Sequence, residues 1–281
     1  MNQMTLPNEI DFLLRVESGK SLVDMNYALD TMKGFSSTIT AVSEGALSEP
    51  EEFKSKSSIA DDIRTELLEG FLGSYVQKFR LKINDPVKEM KLKRMSNSVL
   101  AELITYYVNE VLYAKQPELS KKAERHVKKL ESIESKIITR ISSWVGDMHT
   151  LSIRKDYSVK LYRLTDAKKF ALFEVNKTTY GNAFELTEDT DATEIEAVIS
   201  RFNIFTGNGR LLVDGGNSTI PFGFAGAYSK VKGADKQKIS RNLSANTAVA
   251  DEERVNITLS VKPKRNKSNE IVKYMVYEVE P

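Results

Sequence analysis

The spacing of apolar residues changes from a helical period to an alternating one near Leu151 of this 281-residue chain. From Met95 to Met148 the apolar side chains recur every three to four positions, as one face of a helix requires. After Leu151 they fall in short β-rich runs separated by turn residues. We therefore predict an α+β protein with two domains, 1–150 and 151–281, a number that also fits the usual size of a domain.

The predicted N-terminal domain begins with a strand over 10–16, where apolar residues alternate with polar ones. A helix is predicted to follow from Ser21, whose hydroxyl is placed to cap it, and to continue to residue 46. A β-hairpin is predicted over 63–83, so that three antiparallel strands lie under one helix. A helical hairpin, 95–115 and 118–148, completes the domain.

The second helix of that hairpin is predicted to be one continuous helix over 118–148. Its apolar stripe runs from Leu119 to Met148 with a mean spacing of about 3.6 residues, the period of a straight helix rather than a coiled coil. Such a helix would be about 45 Å long, more than a small domain can cover. The overhang is expected either to form a homo-oligomer or to pack elsewhere in the same chain.

Charges are segregated along the chain, although the net charge is only +2. Residues 1–75 carry 6 basic and 13 acidic side chains, whereas residues 76–140 carry 15 basic and 8 acidic ones. Residues 141–200 are net acidic by three charges (7 against 10) and residues 201–281 net basic by five (13 against 8). Two interpretations stay open: the acidic and basic segments pair within the fold, or a basic segment presents a field to a partner.

The predicted elements in the last hundred residues follow an order that can be compared with known topologies. Three strands, a helix and two strands are predicted over 194–205, 210–213, 219–224, 236–245, 255–262 and 271–279. This order resembles the OB-fold, a small Greek-key barrel found in many oligonucleotide-binding proteins, over about residues 190–281. The segment EIEAVISRFNIFTGNGRLLVD is similar to the first two strands of such a barrel. The N-terminal strand, helix and hairpin are loosely similar to uncharacterised bacterial proteins, a similarity that implies no activity.

The resemblance implies a binding face on the second and third barrel strands, flanked by the loops between strands one and two and between strands four and five. Aromatic and cationic residues and one asparagine fall at these places and in the connection before the last hairpin, and they are Phe205, Asn208, Arg210, Phe222, Phe224, Lys230, Lys232, Lys236, Lys238, Arg241, Lys262, Lys264, Arg265 and Lys267. Aromatic rings can stack on bases and cations can contact phosphates. The alternative is that the phenylalanines form a core and the basic hairpin is a solvated turn.

Composition excludes several kinds of chemistry. The chain has no cysteine and only His126 and His149, which removes thiolate nucleophiles, cysteine-based metal sites and any multi-histidine site in one subunit. We assign no chemistry to either histidine. Asp166, Glu174 and Lys177 are the best candidates for a metal-dependent nuclease, but Glu174 and Lys177 are three apart and point to opposite faces of a strand. No cofactor and no metal are expected.

The sequence therefore favours a non-catalytic protein that binds single-stranded nucleic acid through its basic C-terminal barrel, as a component of a bacterial multi-protein system. The alternatives are a protein-interaction or assembly subunit that binds no nucleic acid and, third, a metal-dependent nuclease. The N-terminal residues lack the pattern of a signal peptide, and no apolar run is long enough to span a bilayer. A cytoplasmic protein without a membrane partner is expected.

Overall fold

A computed structural model describes residues 8–19, 22–53, 62–71 and 75–280. The chain divides into two compact units, Met1–Tyr180 and Gly181–Pro281. Each unit contains its own sheet, and the protein is of the α+β class.

The first unit is built on a five-stranded antiparallel sheet. Its strands are β1 (Glu9–Val16), β2 (Ile63–Phe71), β3 (Val76–Ile83), β4 (Val159–Leu164) and β5 (Lys169–Val175), in the order β2-β3-β1-β4-β5. The predicted first strand and hairpin are confirmed. The turn predicted at 72–74 lies outside the described residues.

The helices of this unit pack on the sheet and on one another. They are α1 (Met25–Leu47), α2 (Pro86–Met95), α3 (Asn97–Val111), α4 (Lys121–Lys129), α5 (Glu134–Met148) and α6 (Thr150–Lys155). The cap of α1 is Asp24, whose carboxylate accepts from the Tyr27 amide at 3.2 Å, while the predicted cap Ser21 lies outside the described residues. In the described ranges, no helix is both long and apolar enough to cross a bilayer.

Helix α1 makes close contact with α5. A Cβ atom on Gly34 of α1 would lie 2.5 Å from the Met148 amide nitrogen and 2.6 Å from the Trp144 carbonyl oxygen, both of α5. The backbones of the two helices therefore approach each other closely at this point, and only glycine fits there.

The prediction of one continuous helix over 118–148 is wrong. Helix α4 ends at Lys129, a 3₁₀ turn follows at Glu131–Ile133, and α5 begins at Glu134. Leu130 and Ile133 are both buried, and the three-residue spacing of a 3₁₀ turn keeps them on one side. The apolar stripe therefore continues across the break, which is why periodicity does not detect it. At 1.5 Å per residue the two helices are about 14 and 22 Å long, so the helix of about 45 Å, whose overhang is expected to form a homo-oligomer or to pack elsewhere in the same chain, does not form.

The predicted domain boundary at 150 is also wrong. Strands β4 and β5 follow it in the sequence, yet Leu14 of β1 pairs with Leu161 of β4, so both strands belong to the first sheet. The division between the units falls within helix α7 (Lys177–Phe184). The β-rich sequence after 151 suggests a single domain because alternation reports a strand but does not report its neighbour.

The second unit is a closed five-stranded β-barrel. Its strands are β7 (Thr193–Phe202), β8 (Gly209–Val213), β9 (Ile220–Phe224), β10 (Ile257–Arg265) and β11 (Ile271–Val279). They pair in the circuit β7-β8-β9-β11-β10-β7, in which only β9 and β11 run parallel. A two-residue strand, β6 (Thr187–Glu188), pairs with Lys264 and Arg265 at the C-terminal end of β10.

Helix α8 (Gly233–Ala245) lies between β9 and β10 in the sequence and packs on the barrel. Its Asn242 is buried, accepts from the Ile199 amide at 2.9 Å and donates to the Val255 carbonyl at 2.8 Å. The pairing register between β7 and β8 shifts next to Ile199, and the Asn242 side chain accepts from the strand amide there. The helix is thereby fixed to the first barrel strand.

Candidate nucleic-acid interface

The β10–β11 hairpin carries the four cations predicted to contact phosphates, and each of them has a partner in the segment 185–190. Lys267 lies 2.7 Å from Glu185, Lys264 lies 3.5 Å from Glu188, and Arg265 lies 3.0 Å from Asp189. Lys262 donates to the Thr190 carbonyl at 2.7 Å and lies over the Tyr277 ring at 5.1 Å. We call residues 185–190 the acidic segment.

The acidic segment provides partners for the hairpin cations within the same unit. It is held on β10 by strand β6 and by the Asp189 amide, which donates to the Pro263 carbonyl at 2.9 Å. Replacing the four cations would therefore remove local ion pairs as well as any phosphate contacts. The predicted hairpin site stays a prediction, but its charges are largely balanced by the unit's own carboxylates.

Two other predicted site residues are held by the barrel itself. Arg210 of β8 is 7% exposed, and its guanidinium donates to the Thr219 hydroxyl at 3.0 Å and to the Thr219 carbonyl at 2.9 Å. Lys238 of α8 donates to the carbonyls of Val279 and Glu280, both at 3.1 Å. The guanidinium of Arg210 therefore binds the turn between β8 and β9, and the ammonium of Lys238 binds carbonyls at the end of β11 and directly after it.

The aromatic residues divide between core and surface. Phe222 and Phe224, for which the sequence leaves both a binding and a core role open, are buried in the barrel core. Phe205 and its neighbour Ile204 are each 58% exposed, at the tip of the β7–β8 turn. The turn residue Asn203 accepts from the Phe205 amide at 2.9 Å, so the tip has a defined conformation.

A groove of about 370 Å³ lies between this turn and α8. We call it the Tyr228 groove. Its lining residues are Phe202, Ile204, Tyr228, Lys236, Gln237, Ser240, Arg241 and Ser244. The ammonium of Lys236 lies 4.2 Å from the centroid of the Tyr228 ring. Arg241 is exposed one turn further along α8, and Lys230 and Lys232 are exposed in the connection that precedes it.

The Tyr228 ring is fixed by its neighbours. It packs edge-on against Phe202 at 6.4 Å between centroids and lies so close to Gly207, which has a φ of +74°, that a Cβ there would overlap it. Burial raises the pKa of the Tyr228 hydroxyl above its ordinary value. The groove thus combines an ordered aromatic ring, the exposed apolar side chain of Ile204 and two cations.

The sequence does not single out Tyr228 or Ile204. Tyr228 lies in a short 3₁₀ turn without periodicity, and Ile204 falls within the predicted strand 194–205, although β7 ends at Phe202. The available signal is the Thr-Gly-Asn-Gly turn, since a tight turn brings neighbouring side chains to the surface.

Comparisons with known proteins do not assign this chain. No protein-family model, curated protein or solved structure matches it. The function must therefore be argued from the residues that the fold brings together.

The residues considered for a nuclease are not brought together. Asp166 lies in the β4–β5 turn, whereas Glu174 lies near the other end of β5, about 16 Å along the strand from Lys169. Glu174 pairs with Lys160 at 3.6 Å, and Lys177 begins α7. Within the described ranges, no group of three or more acidic or histidine side chains is placed to hold a metal ion.

His149 is a buried structural residue of the first unit. Its Nδ1 lies 2.7 Å from the Val145 carbonyl, which can only accept, so the neutral ring carries its proton there. Nε2 lies 2.9 Å from the Thr179 hydroxyl. Burial lowers the pKa of His149 to about 4, against a smaller opposing effect of the Val145 hydrogen bond.

We expect His149 to make the protein less stable as the pH falls from about 6.5 towards 4. In this window the unfolded chain binds a proton that the folded chain excludes, so stability is retained above 6.5 and falls by about 1.4 kcal/mol per pH unit below it. Urea unfolding between pH 4 and 7 measures this slope. His149→Gln, which does not titrate, should flatten it, and an unchanged slope in that variant would contradict the assignment.

Proposed function

We propose that the C-terminal barrel is an OB-fold and that it binds single-stranded nucleic acid in the Tyr228 groove. The observation that carries this proposal is the exposed Phe205 at the tip of the β7–β8 turn, whose neighbour Ile204 lines a groove together with Lys236 and Arg241. An exposed aromatic side chain that adjoins an apolar groove with a cationic edge is typical of a surface that contacts another molecule.

The topology supports the first part of the proposal. The barrel has three meandering strands, a helix, and two further strands that close the circuit between the third strand and the first. An OB-fold is a five-stranded Greek-key barrel that binds oligonucleotides near strands two and three and the loop between strands one and two. Here these are β8, β9 and the turn that carries Phe205.

The chemistry of the groove supports the second part. Phe205 offers a ring on which a base can stack, and stacking suits any base because every base has a π-face. Lys236 and Arg241 lie along one edge of the groove, with Lys230 and Lys232 before them, where they can contact successive phosphates. Single-stranded ligands are favoured because a duplex keeps its bases stacked and unexposed.

Fluorescence anisotropy of the full chain with labelled single strands of DNA and RNA tests the proposal. Phe205→Ala should weaken binding by about 1–3 kcal/mol without changing its salt dependence, because it removes stacking only. Lys236→Gln with Arg241→Gln should lower the slope of log Kobs against log salt by about 0.7 for each phosphate that the variant no longer neutralises.

Matched controls come from the same barrel. Val255→Ala changes another apolar residue that is 58% exposed, and Lys264→Gln with Lys267→Gln removes two cations from the hairpin. Both controls should bind like the parent protein. If the hairpin pair lowers the salt slope while the groove pair does not, the hairpin is the site; if no single strand binds at low salt, the proposed function is wrong.

Protein interaction is the second candidate function, and one observation favours it. An apolar cleft of about 250 Å³ opens between α1 and the β2 side of the first sheet. Leu29 and Leu67 at its rim are 47% and 68% exposed, and Met25, one turn before Leu29, is also exposed. Exposed apolar side chains that adjoin a cleft mark surfaces that contact other molecules. An absence of nucleic-acid binding would make this cleft the favoured functional surface.

A further inference from the structure

The basic segment 76–140 contains two groups of cations with different surroundings. Five of the cations on β3 and α2 are paired with acidic residues from the first 75 positions, and these pairs are Lys78–Asp11, Arg80–Glu9, Arg80–Asp11, Lys82–Glu66, Lys88–Asp62 and Lys91–Glu49. Pairing within the fold, one of the two interpretations of the charge segregation, therefore accounts for this group. It does not account for α4.

Helix α4 has the sequence KKAERHVKK, and of its side chains only Ala123 is buried. Lys121, Lys122, Arg125, Lys128 and Lys129 are exposed, and none of the five lies within 4.0 Å of a carboxylate in the part of the chain that the structure describes. At 100° per residue, Lys121, Arg125, Lys128 and Lys129 share the face opposite Ala123. Glu124, at the flank of that face, is the acidic residue of the helix.

Neighbouring residues extend and fix this cationic face. Ser120 caps α4 by accepting from the Ala123 amide at 3.2 Å, and Glu102 of α3 accepts from the Ser120 amide at 2.7 Å. The Lys122 ammonium donates to the Arg94 carbonyl at 2.6 Å, which places the exposed end of α2 beside α4. The face therefore belongs to an ordered helix on a packed support.

His126 lies among the cations of α4. Burial, followed by the charges of Lys129 and Lys122, lowers the pKa of His126. The exposed face also lacks the large apolar side chains with which a helix inserts into a lipid surface, since Val127 is half-buried on the other side. A hydrophilic polyanion fits this face better than a membrane does.

We propose that the outward face of α4 binds the phosphate backbone of nucleic acid, as a second contact surface in the first unit. Its cations extend over about 12 Å of helix, and one strand of a duplex presents a phosphate about every 3.4 Å of its axis, so the row can contact about two to four phosphates. Contacts to phosphate alone carry no base sequence. The proposal extends nucleic-acid binding beyond the barrel and stands even if the barrel binds none.

The test is a four-residue variant of the full chain, Lys121→Gln, Arg125→Gln, Lys128→Gln and Lys129→Gln. Its binding to mixed-sequence single-stranded and duplex DNA is measured by anisotropy over a salt series. For each phosphate that is no longer neutralised, the slope of log Kobs against log salt should fall by about 0.9 on the duplex and about 0.7 on the single strand. A total fall of about 1.8 to 3.6 units is expected for the duplex if two to four phosphate contacts are lost.

The matched control removes four exposed cations of the same unit, with Lys33→Gln, Arg154→Gln, Lys168→Gln and Lys177→Gln. This control has the same net charge as the α4 variant, so equal effects of the two would show a general charge effect and overturn the proposal. Circular dichroism and thermal unfolding confirm that both variants fold.

Two further arms separate the possible failures. Phe205→Ala reports on the barrel, so a salt-slope change in the α4 variant with no effect of Phe205→Ala supports α4 and overturns the barrel site, and the reverse pattern overturns α4. Poly-glutamate and phosphatidylserine vesicles serve as alternative probes. If the α4 variant loses binding to either of these while it binds DNA like the control, α4 is a site for acidic peptides or for lipid, and the proposal is wrong.

Discussion

Replacing Arg80 by Met is expected to destabilise the first unit by about 3–5 kcal/mol. Arg80 is buried on β3, where its guanidinium lies 2.7 Å from Glu9 and 2.6 Å from Asp11. The methionine side chain fills much of the same space, but it removes the guanidinium from two buried carboxylates, of which Asp11 still has Lys78 at 3.4 Å. Denaturant unfolding at pH 7 measures the loss.

A matched control lies on the same strand and the same face. Lys82 forms an exposed ion pair with Glu66 at 3.5 Å, and such pairs contribute about 0–1 kcal/mol, so Lys82→Met should cost little. Equal losses in the two variants would show that burial of the Arg80 ion pairs has no special role.

The pH dependence of the Arg80→Met effect has a defined sign. Burial alone would raise the pKa of the Asp11 carboxyl, but the hydrogen bond and charge of Arg80, with the charge of Lys78, outweigh it and hold the pKa below its ordinary value. In the parent protein this contribution is therefore complete above the unfolded pKa and is lost as the pH falls through the folded one. In the variant, acid neutralises the unbalanced carboxyl, so the deficit relative to the parent should shrink as the solution is made more acidic.

Gly34→Ala is expected to cost about 3 kcal/mol, although alanine is the better helix former. The added Cβ would lie 2.5 Å from the Met148 amide nitrogen, so the whole α5 backbone must move. The gain of about 1 kcal/mol in helix propensity is smaller than the cost of this overlap. Thermal unfolding of the full chain, followed by the helical signal, measures the effect.

Gly45→Ala is the control in the same helix. There the added Cβ would meet the terminal methyl of Ile137 at 2.9 Å, and a side-chain end can move where a backbone cannot. Its cost should be smaller than that of Gly34→Ala by about 2 kcal/mol or more. If both alanines are tolerated alike, α1 and α5 are not held at this close distance.

Sequence patterns predict the local elements of this fold better than their partners. The alternation at Ile10, Phe12 and Leu14 locates β1, because successive side chains of a strand point to opposite faces of the sheet. No local pattern shows that Leu14 pairs with Leu161, since that neighbour is chosen by packing. The break after Lys129 escapes detection for a related reason: the stripe reports burial, and a 3₁₀ turn preserves burial.

The candidate site shows the same division. The sequence shows directly where the cations of the last hairpin lie, and the positive charge of lysine and arginine is sufficient to suggest phosphate contacts. Their partners Glu185, Glu188 and Asp189 lie about 76 to 82 positions earlier, and no motif connects them to the hairpin. Phe205 is identifiable from the sequence as a candidate, whereas the groove that Tyr228 and Lys236 share with Ile204 forms only because the β7–β8 turn and α8 meet in three dimensions.

The position of β1 in its sheet has a consequence for synthesis on the ribosome. One edge of β1 pairs with β3, which ends at Ile83, but the other edge pairs with β4, which begins only at Val159. At translation rates of about 5–20 residues per second, the second edge waits roughly 4–15 s for its partner. During that interval a nascent chain presents an unpaired strand edge of the kind that joins other chains. The nascent chain is thus prone to aggregate for a limited time. The duration of that time is set by the number of residues between β3 and β4, the two neighbours of β1.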